Sequence, residues 1–214
     1  MKGILFSEPM VRAWLSGNKS VTRRLMKPQP YFNDVDGGCW YSRWSRTEGF
    51  KHYASQTHFR KGVAQDFSPY RSGETVYLKE TWQYNPFGGI VYKAGSGIVD
   101  CGGRGWKSPR FMPERAARSH AWIVSVRPER VQEITTRECV REGMICGSVL
   151  DGNSEDVLRT VRESKSCLVA AALIKVSGVP PRKQFQILWN TLHPGSWERN
   201  DWVWRIELER RLGG

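Results

Sequence analysis

The sequence predicts an α+β domain, a small β-barrel with helices on its rim and a long loop-rich insertion. Three observations carry that expectation. The apolar residues fall mostly in short alternating runs, the period of half-buried strands. Helical stripes between those runs are few and mostly short. A last alternating run, Asp201 to Glu209, supplies a strand that can close the sheet.

In chain order, Lys2 to Phe6 reads as a short strand. Ser7 then stands as an N-cap, with Glu8 and Pro9 in the first turn, where the helix dipole and the missing proline N–H favour them. Met10, Val11, Trp14 and Leu15 recur at helical spacing, and Gly17 takes the left-handed stop. Ser20 to Met26 follows as a second strand. Residues 31–71 show no clean periodicity and read as an insertion at the domain edge. Its aromatics interleave with cations: Trp40, Tyr41, Arg43, Trp44, Arg46, Lys51, His52 and Tyr53. That mixture suits stacking of single-stranded or flipped bases, and it equally suits a loop folding its aromatics onto the barrel.

Glu74 to Thr81 alternates again, and Ile90 to Ala94 is its expected hairpin partner. Gly95 to Arg110 is a Gly-rich, basic loop. Ser119 to Arg127 reads as a strand with Trp122, Val124 and Val126 on one face. Thr135 opens a Thr-x-x-Glu capping box with Glu138, on a helix that ends at Glu142 and stops at Gly143. A longer helix is expected after Ser154, inside a helical insertion over about 145–180, until Pro180 and Pro181 break it. Phe185, Leu188, Trp189 and Leu192 mark another helix, with Trp189 in its apolar stripe. The final strand turns Trp204, Ile206 and Leu208 to one side. All 214 residues are expected to form one domain.

The net charge of +12 favours a polyanionic partner, RNA or DNA, because cations near phosphates release counterions. The charge is concentrated. Residues 1–30 hold six basic groups against Glu8, whereas residues 131–166 hold seven acidic groups against five basic ones. Five cysteines, an odd number with no CxxC pair and no signal peptide before them, predict reduced thiols and a cytoplasmic protein. The apolar run from Cys167 to Val176 is too short to span a membrane. Cys39, His52, His58 and Cys101 match no compact zinc spacing, and no Walker-type glycine loop occurs, so neither metal nor cofactor is expected.

The segment Met10 to Arg24, MVRAWLSGNKSVTRR, resembles the opening of ASCH-domain proteins, particularly the longer ones carried by phages and prophages. Gly17, Lys19, Thr22 and Arg24 fill their Gly-x-Lys-Thr-x-Thr-x-Arg pattern, with Ser20 in place of the first Thr. Gly73-Glu74, Tyr77 to Trp82, Phe111 to Ala117, Val131 to Ile134, Arg141 to Gly143, Phe185 to Asn190 and Asp201 to Glu209 continue the similarity in order. The resemblance omits residues 31–71 and 145–180. It implies a PUA-like barrel whose cleft receives RNA or a nucleoside; with the basic charge, the expected partner is RNA, DNA or a modified nucleoside. It also implies amide hydrolysis of an acetylated cytosine, with catalytic positions falling on Lys19, Thr22 and Glu142.

Such hydrolysis needs a nucleophile, a base and an acid for the leaving amine. Thr22 can attack, Lys19 can accept its proton, and Glu142 can donate to the amine or orient it. Residues three apart on a strand face opposite ways, so Lys19 and Thr22 can meet only if Lys19 lies in the turn that Gly17 permits. Lys19 must also titrate below its reference value of about 10.4, which burial and the neighbouring Arg23 and Arg24 favour. Each residue has a plainer reading: Lys19 as a cation at a helix C-terminus, Thr22 as strand, Glu142 as solvated helix. Arg23, Arg24, Glu80, Trp82 and Arg110 are the expected nucleic-acid or base contacts, with Trp82 the stacking candidate. A non-catalytic binding module, a ribonuclease and a phage-assembly protein remain alternatives.

Overall fold

A computed structural model of the chain describes residues 1–32, 38–41, 51–95, 105–144 and 179–210. The helix expected after Ser154, the cationic aromatics Arg43, Trp44 and Arg46, and most of the Gly95 to Arg110 loop lie outside those residues.

The centre is a five-stranded mixed sheet in the order β1-β6-β9-β10-β2. Its strands are β1 (Lys2–Leu5), β6 (Thr75–Lys79), β9 (His120–Arg130), β10 (Trp202–Arg210) and β2 (Val21–Leu25). β1 runs parallel to β6, and the other three pairings are antiparallel. Helix α1 (Glu8–Leu15) joins β1 to β2, the two edge strands. Ser7 is its N-cap in extended conformation, yet the Ser7 hydroxyl makes no capping bond.

The class is therefore α+β, but no hydrogen-bonded ladder among the described residues closes the sheet into a barrel. The edges nevertheless approach each other. Arg24 on β2 donates from Nη2 to the carbonyl of Leu5 on β1 at 2.5 Å.

One face of the sheet packs on a core of Ile4, Phe6, Trp14, Leu78, Ile123 and Ile206. Burying each such side chain contributes about 1.5–3 kcal/mol. The opposite face of β10 and β2 meets a second core, where Val203 and Leu25 pack with Phe185, Trp189 and Trp197. Helices α3 (Thr136–Arg141) and α4 (Pro181–Leu192) contribute to that cover. β10 is thus buried on both sides, while Trp204, Ile206 and Leu208 share the first core as the alternation predicts.

Three expectations are corrected. Residues 31–71 hold regular structure: a small sheet of β3 (Tyr31–Phe32), β4 (Cys39–Tyr41) and β5 (Lys51–Tyr53), then helix α2 (Gln56–Phe67). Ser55 caps that helix, and Phe59, Val63 and Phe67 insert into the main core at intervals of four. The strand Ile90 to Ala94 does not pair with β6, because β1 and β9 occupy both of its edges. β8 (Ile90–Tyr92) instead pairs with β7 (Trp82–Tyr84), a separate strand. On β9, Glu207 pairs with Ser125 and Leu208 with Ile123, leaving Val124 as the extra residue of a bulge. The bulge changes the parity, so Ile123 and Val126 face the core while Trp122 and Val124 are 38% and 45% exposed.

No helix among the described residues is long and apolar enough to cross a membrane. Nor do those residues contain a group of three His, Cys, Asp or Glu able to hold a metal ion. Cys101 lies outside them.

Candidate functional site

The site begins at the glycine stop of α1. Gly17 adopts φ 81°, and its turn brings the backbone N–H groups of Asn18 and Lys19 to the carbonyl of Ala13, at 2.9 and 3.0 Å. Lys19 is thereby folded under the helix that precedes it. A second left-handed glycine fixes the partner segment. Gly143 has φ 97°, and a Cβ there would stand 2.7 Å from the Cβ of Ala13. α3 can consequently end directly against α1, where Lys19 and Glu142 form an isolated antiparallel bridge and the N–H of Ser20 reaches the carbonyl of Arg141 at 2.9 Å.

The turn predicted for Lys19 is present, and the side chain is fully buried. Its Nζ donates to Glu142 Oε2 at 2.6 Å, to the Glu142 carbonyl at 2.8 Å and to the Val21 carbonyl at 2.7 Å. All three ammonium protons are used. Burial pulls the Lys19 pKa below its ordinary value; Glu142 opposes the shift, and Arg24 and Arg23 reinforce it. Thr22 is buried on the adjoining strand, and its Oγ1 has no hydrogen-bond partner among the described residues. A buried hydroxyl in that state costs about 1–3 kcal/mol relative to a satisfied one.

The register of β2 against β10 separates its side chains. Thr22 lies opposite Ile206 and Arg24 opposite Trp204, on the main apolar core; Arg23 lies opposite Arg205 on the other face. Arg23 is fully buried and surrounded by carboxylates. Its Nε donates to Glu129 at 2.6 Å, Nη2 to Glu138 at 2.8 Å and Nη1 to Glu142 Oε1 at 3.1 Å. Burial alone would lower the Arg23 pKa, but Glu142, Glu129 and Glu138 raise it overall. Two arginines directly across strands repel. Glu138 removes that conflict by accepting from Arg205 Nε as well, at 2.7 Å. The capping box is therefore half formed. Thr135 Oγ1 accepts from the Glu138 N–H at 3.2 Å, while the Glu138 carboxylate is engaged by arginines.

The network extends outward. Arg205 reaches Glu207 at 3.1 Å, and Arg141 holds the other Glu207 oxygen at 2.5 Å. The Arg141 hydrogen bond leads in holding the Glu207 carboxyl down at about 2. Burial pushes the Glu129 carboxyl up despite Arg23, and it pushes the nearby Cys139 thiol up to about 12. That thiol is inert packing.

Arg24 differs from its neighbour. It is half-buried, lies over the Phe6 ring at 5.9 Å, and donates to Leu5, but among the described residues no carboxylate lies within ion-pair distance. Beside it is a narrow cleft with Arg23, Arg24 and Glu142 along one side and Leu188, Leu192 and His193 of the α4 region along the other. The cleft holds about 20 Å³, room for one water, so a larger ligand must sit at its mouth or widen it.

The structure joins Lys19, Glu142 and Arg23 in one network and sets Arg24 beside it at the cleft, but neither Lys19 nor Thr22 lines the cleft, and Thr22 turns to the apolar core, away from Arg23. Arg23, expected as a phosphate or base contact, instead serves the carboxylates and is covered. Glu80 is buried and accepts from Arg118 Nε and Nη2, at 2.8 and 2.7 Å. Trp82 is 3% exposed against Met112 and Ala116, with Lys107 Nζ 5.0 Å from its ring centroid, so it offers no open stacking face. Arg110 is exposed on a short turn whose carbonyl takes a hydrogen bond from Lys79. None of these three lines the cleft. The residues that sequence reasoning did not single out are Glu129, Arg205 and His193. A lone Glu129 inside a basic strand was the available signal for the first; His193 carries none. Comparison with protein-family models, curated proteins and solved structures finds no match.

Proposed function

We propose that this cleft receives a nucleobase and that Lys19, Thr22 and Glu142 hydrolyse an amide on its exocyclic amine, an acetylated cytosine being the leading substrate. The observation that carries this reading is the Thr22 hydroxyl, buried without a partner one residue after Val21, whose carbonyl holds Lys19. The order of motifs shared with ASCH proteins supports it. The approach of the β1 and β2 edges through Arg24 and Leu5 supports a PUA-like barrel left open along one seam.

The 2.6 Å contact between Lys19 and Glu142 lets one proton pass from ammonium to carboxylate, giving a neutral amine and a neutral acid. Thr22 Oγ1 makes no hydrogen bond to Lys19 in the structure, so the amine must turn from the Val21 carbonyl to Oγ1; it then takes the Thr22 proton as Oγ1 attacks the acyl carbon. Glu142 returns its proton to the departing exocyclic nitrogen as the C–N bond breaks. Both groups end charged, as they began. Water then cleaves the acyl-threonine ester, its hydroxide going to the acyl carbon and a proton to Thr22 Oγ1. The carboxylic acid so formed releases its proton to solvent.

Incubation with acetylcytidine and with acetylated RNA, followed by mass analysis, tests the reading alongside Thr22→Val and Lys19→Met. Loss of 42 Da (about one ketene unit, an acetyl replaced by hydrogen) by wild type and by neither variant is expected. An unchanged mass on both substrates, with RNA or DNA still bound, replaces it with a non-catalytic binding module.

A further inference from the structure

Arg23 and Arg24 line the same cleft, but among the described residues only Arg23 is ion-paired. A guanidinium has five N–H donors, and among the described residues Arg24 directs one bond, to the Leu5 carbonyl. A half-buried cation with unused donors and no carboxylate at ion-pair distance among the described residues is unfavourable alone and favourable once an anion arrives.

The opposite wall adds to this. His193 follows the C-terminus of α4, its ring 4.6 Å from that of Trp189, and it lines the cleft with Arg24. Lys27, two residues past the end of β2, is exposed and does not itself line the cleft. Burial, then Lys27 and Arg24, lower the His193 pKa, while Asp201 opposes them; Asp201 is itself paired with Arg199 at 2.8 Å. Glu142, the remaining acid at the cleft, is held by Lys19 and Arg23. The mouth of the cleft is therefore cationic, with its acids already engaged.

From this arrangement we infer that Arg24 and His193 form a phosphate site at the mouth of the cleft, with Lys27 adding charge from the adjoining turn, so that the ligand is a nucleotide unit carrying its phosphate rather than a neutral nucleoside. The bidentate geometry of Arg24 suits a phosphoryl oxygen pair, and His193 adds a donor that becomes charged when the anion is bound. This inference rests on the proposed nucleobase cleft for its ligand class, but not on any catalytic step.

The test is calorimetric titration of the whole protein with cytidine, cytidine 5′-monophosphate and inorganic phosphate, at pH 6 and pH 8. The monophosphate is expected to bind about ten-fold or more tightly than cytidine, and more tightly at the lower pH. Inorganic phosphate should compete with it. Arg24→Gln and His193→Gln should each shrink the advantage, and Lys27→Ala, at an exposed position, should do so more weakly with the fold intact. Equal affinities for cytidine and its monophosphate in the wild type overturn the inference, even if acetylcytidine is hydrolysed. A phosphate advantage without hydrolysis sustains it while removing the catalytic reading.

Discussion

Two consecutive arginines on one strand meet opposite surroundings. Arg23 points into a face built from Glu129, Glu138 and Glu142 and is sealed from solvent. Arg24 points the other way, over Phe6, and among the described residues finds a single carbonyl. The chain contributes the same chemical group twice, and the alternation of a strand assigns one copy to structure and leaves the other available. The lesson is that a basic pair in a motif cannot be treated as one unit.

The largest expected effect breaks the Arg23 side. Arg23→Met leaves Glu129 and Glu142 buried and Glu138 half-buried with fewer partners, and should cost about 3–5 kcal/mol in urea unfolding. Arg24→Gln should cost about 1 kcal/mol or less, since it removes a hydrogen bond and a weak ring contact. Equal losses for the two variants would dissolve the contrast. Thr22→Val sharpens it from within the same strand. Exchanging a buried, unpartnered hydroxyl for a methyl should leave stability unchanged or raise it by about 1 kcal/mol, while deacylation disappears. A loss of stability there would mean that the hydroxyl has a partner.

The smallest effect is a pH dependence at the rim of the ionic face. Glu207 titrates near 2 in the folded chain against an ordinary value of 4.5, so the unfolded state binds more protons between those values. Its contribution is present above pH 4.5 and is lost as pH falls toward 2. Glu207→Gln should flatten that part of the acid limb, measured as unfolding free energy against pH. The sign is also clear at the Lys19 end. Its folded pKa lies below 10.5, so its contribution to stability rises as pH climbs toward that value.

Much of the fold was legible locally. The strand, helix and glycine stop from Lys2 to Gly17 follow the sequence signals, as does the turn that places Lys19. Helix α2 is hidden in the sequence, although Ser55 with Phe59, Val63 and Phe67 carries its signature; an internal Gly62 and a polar remainder mask the stripe. The β9 bulge was illegible for a different reason. Nothing in Trp122 to Val126 says that one residue will be left over, because the partner strand imposes the mismatch. Trp82 likewise sat at what reads as a strand end beside a loop, and only the packing of Met112 and Ala116 covers it.

The sequence by itself determined the short-range elements and the concentration of chemistry between Gly17 and Arg24, since caps, glycine stops and alternation act within a few residues. Tertiary structure decided which of those groups would be free. The carboxylates that neutralise Arg23 lie 106, 115 and 119 residues along the chain, and His193 reaches the cleft only because α4 packs across it. Charge is written residue by residue, but its compensation depends on distances that only the folded chain defines.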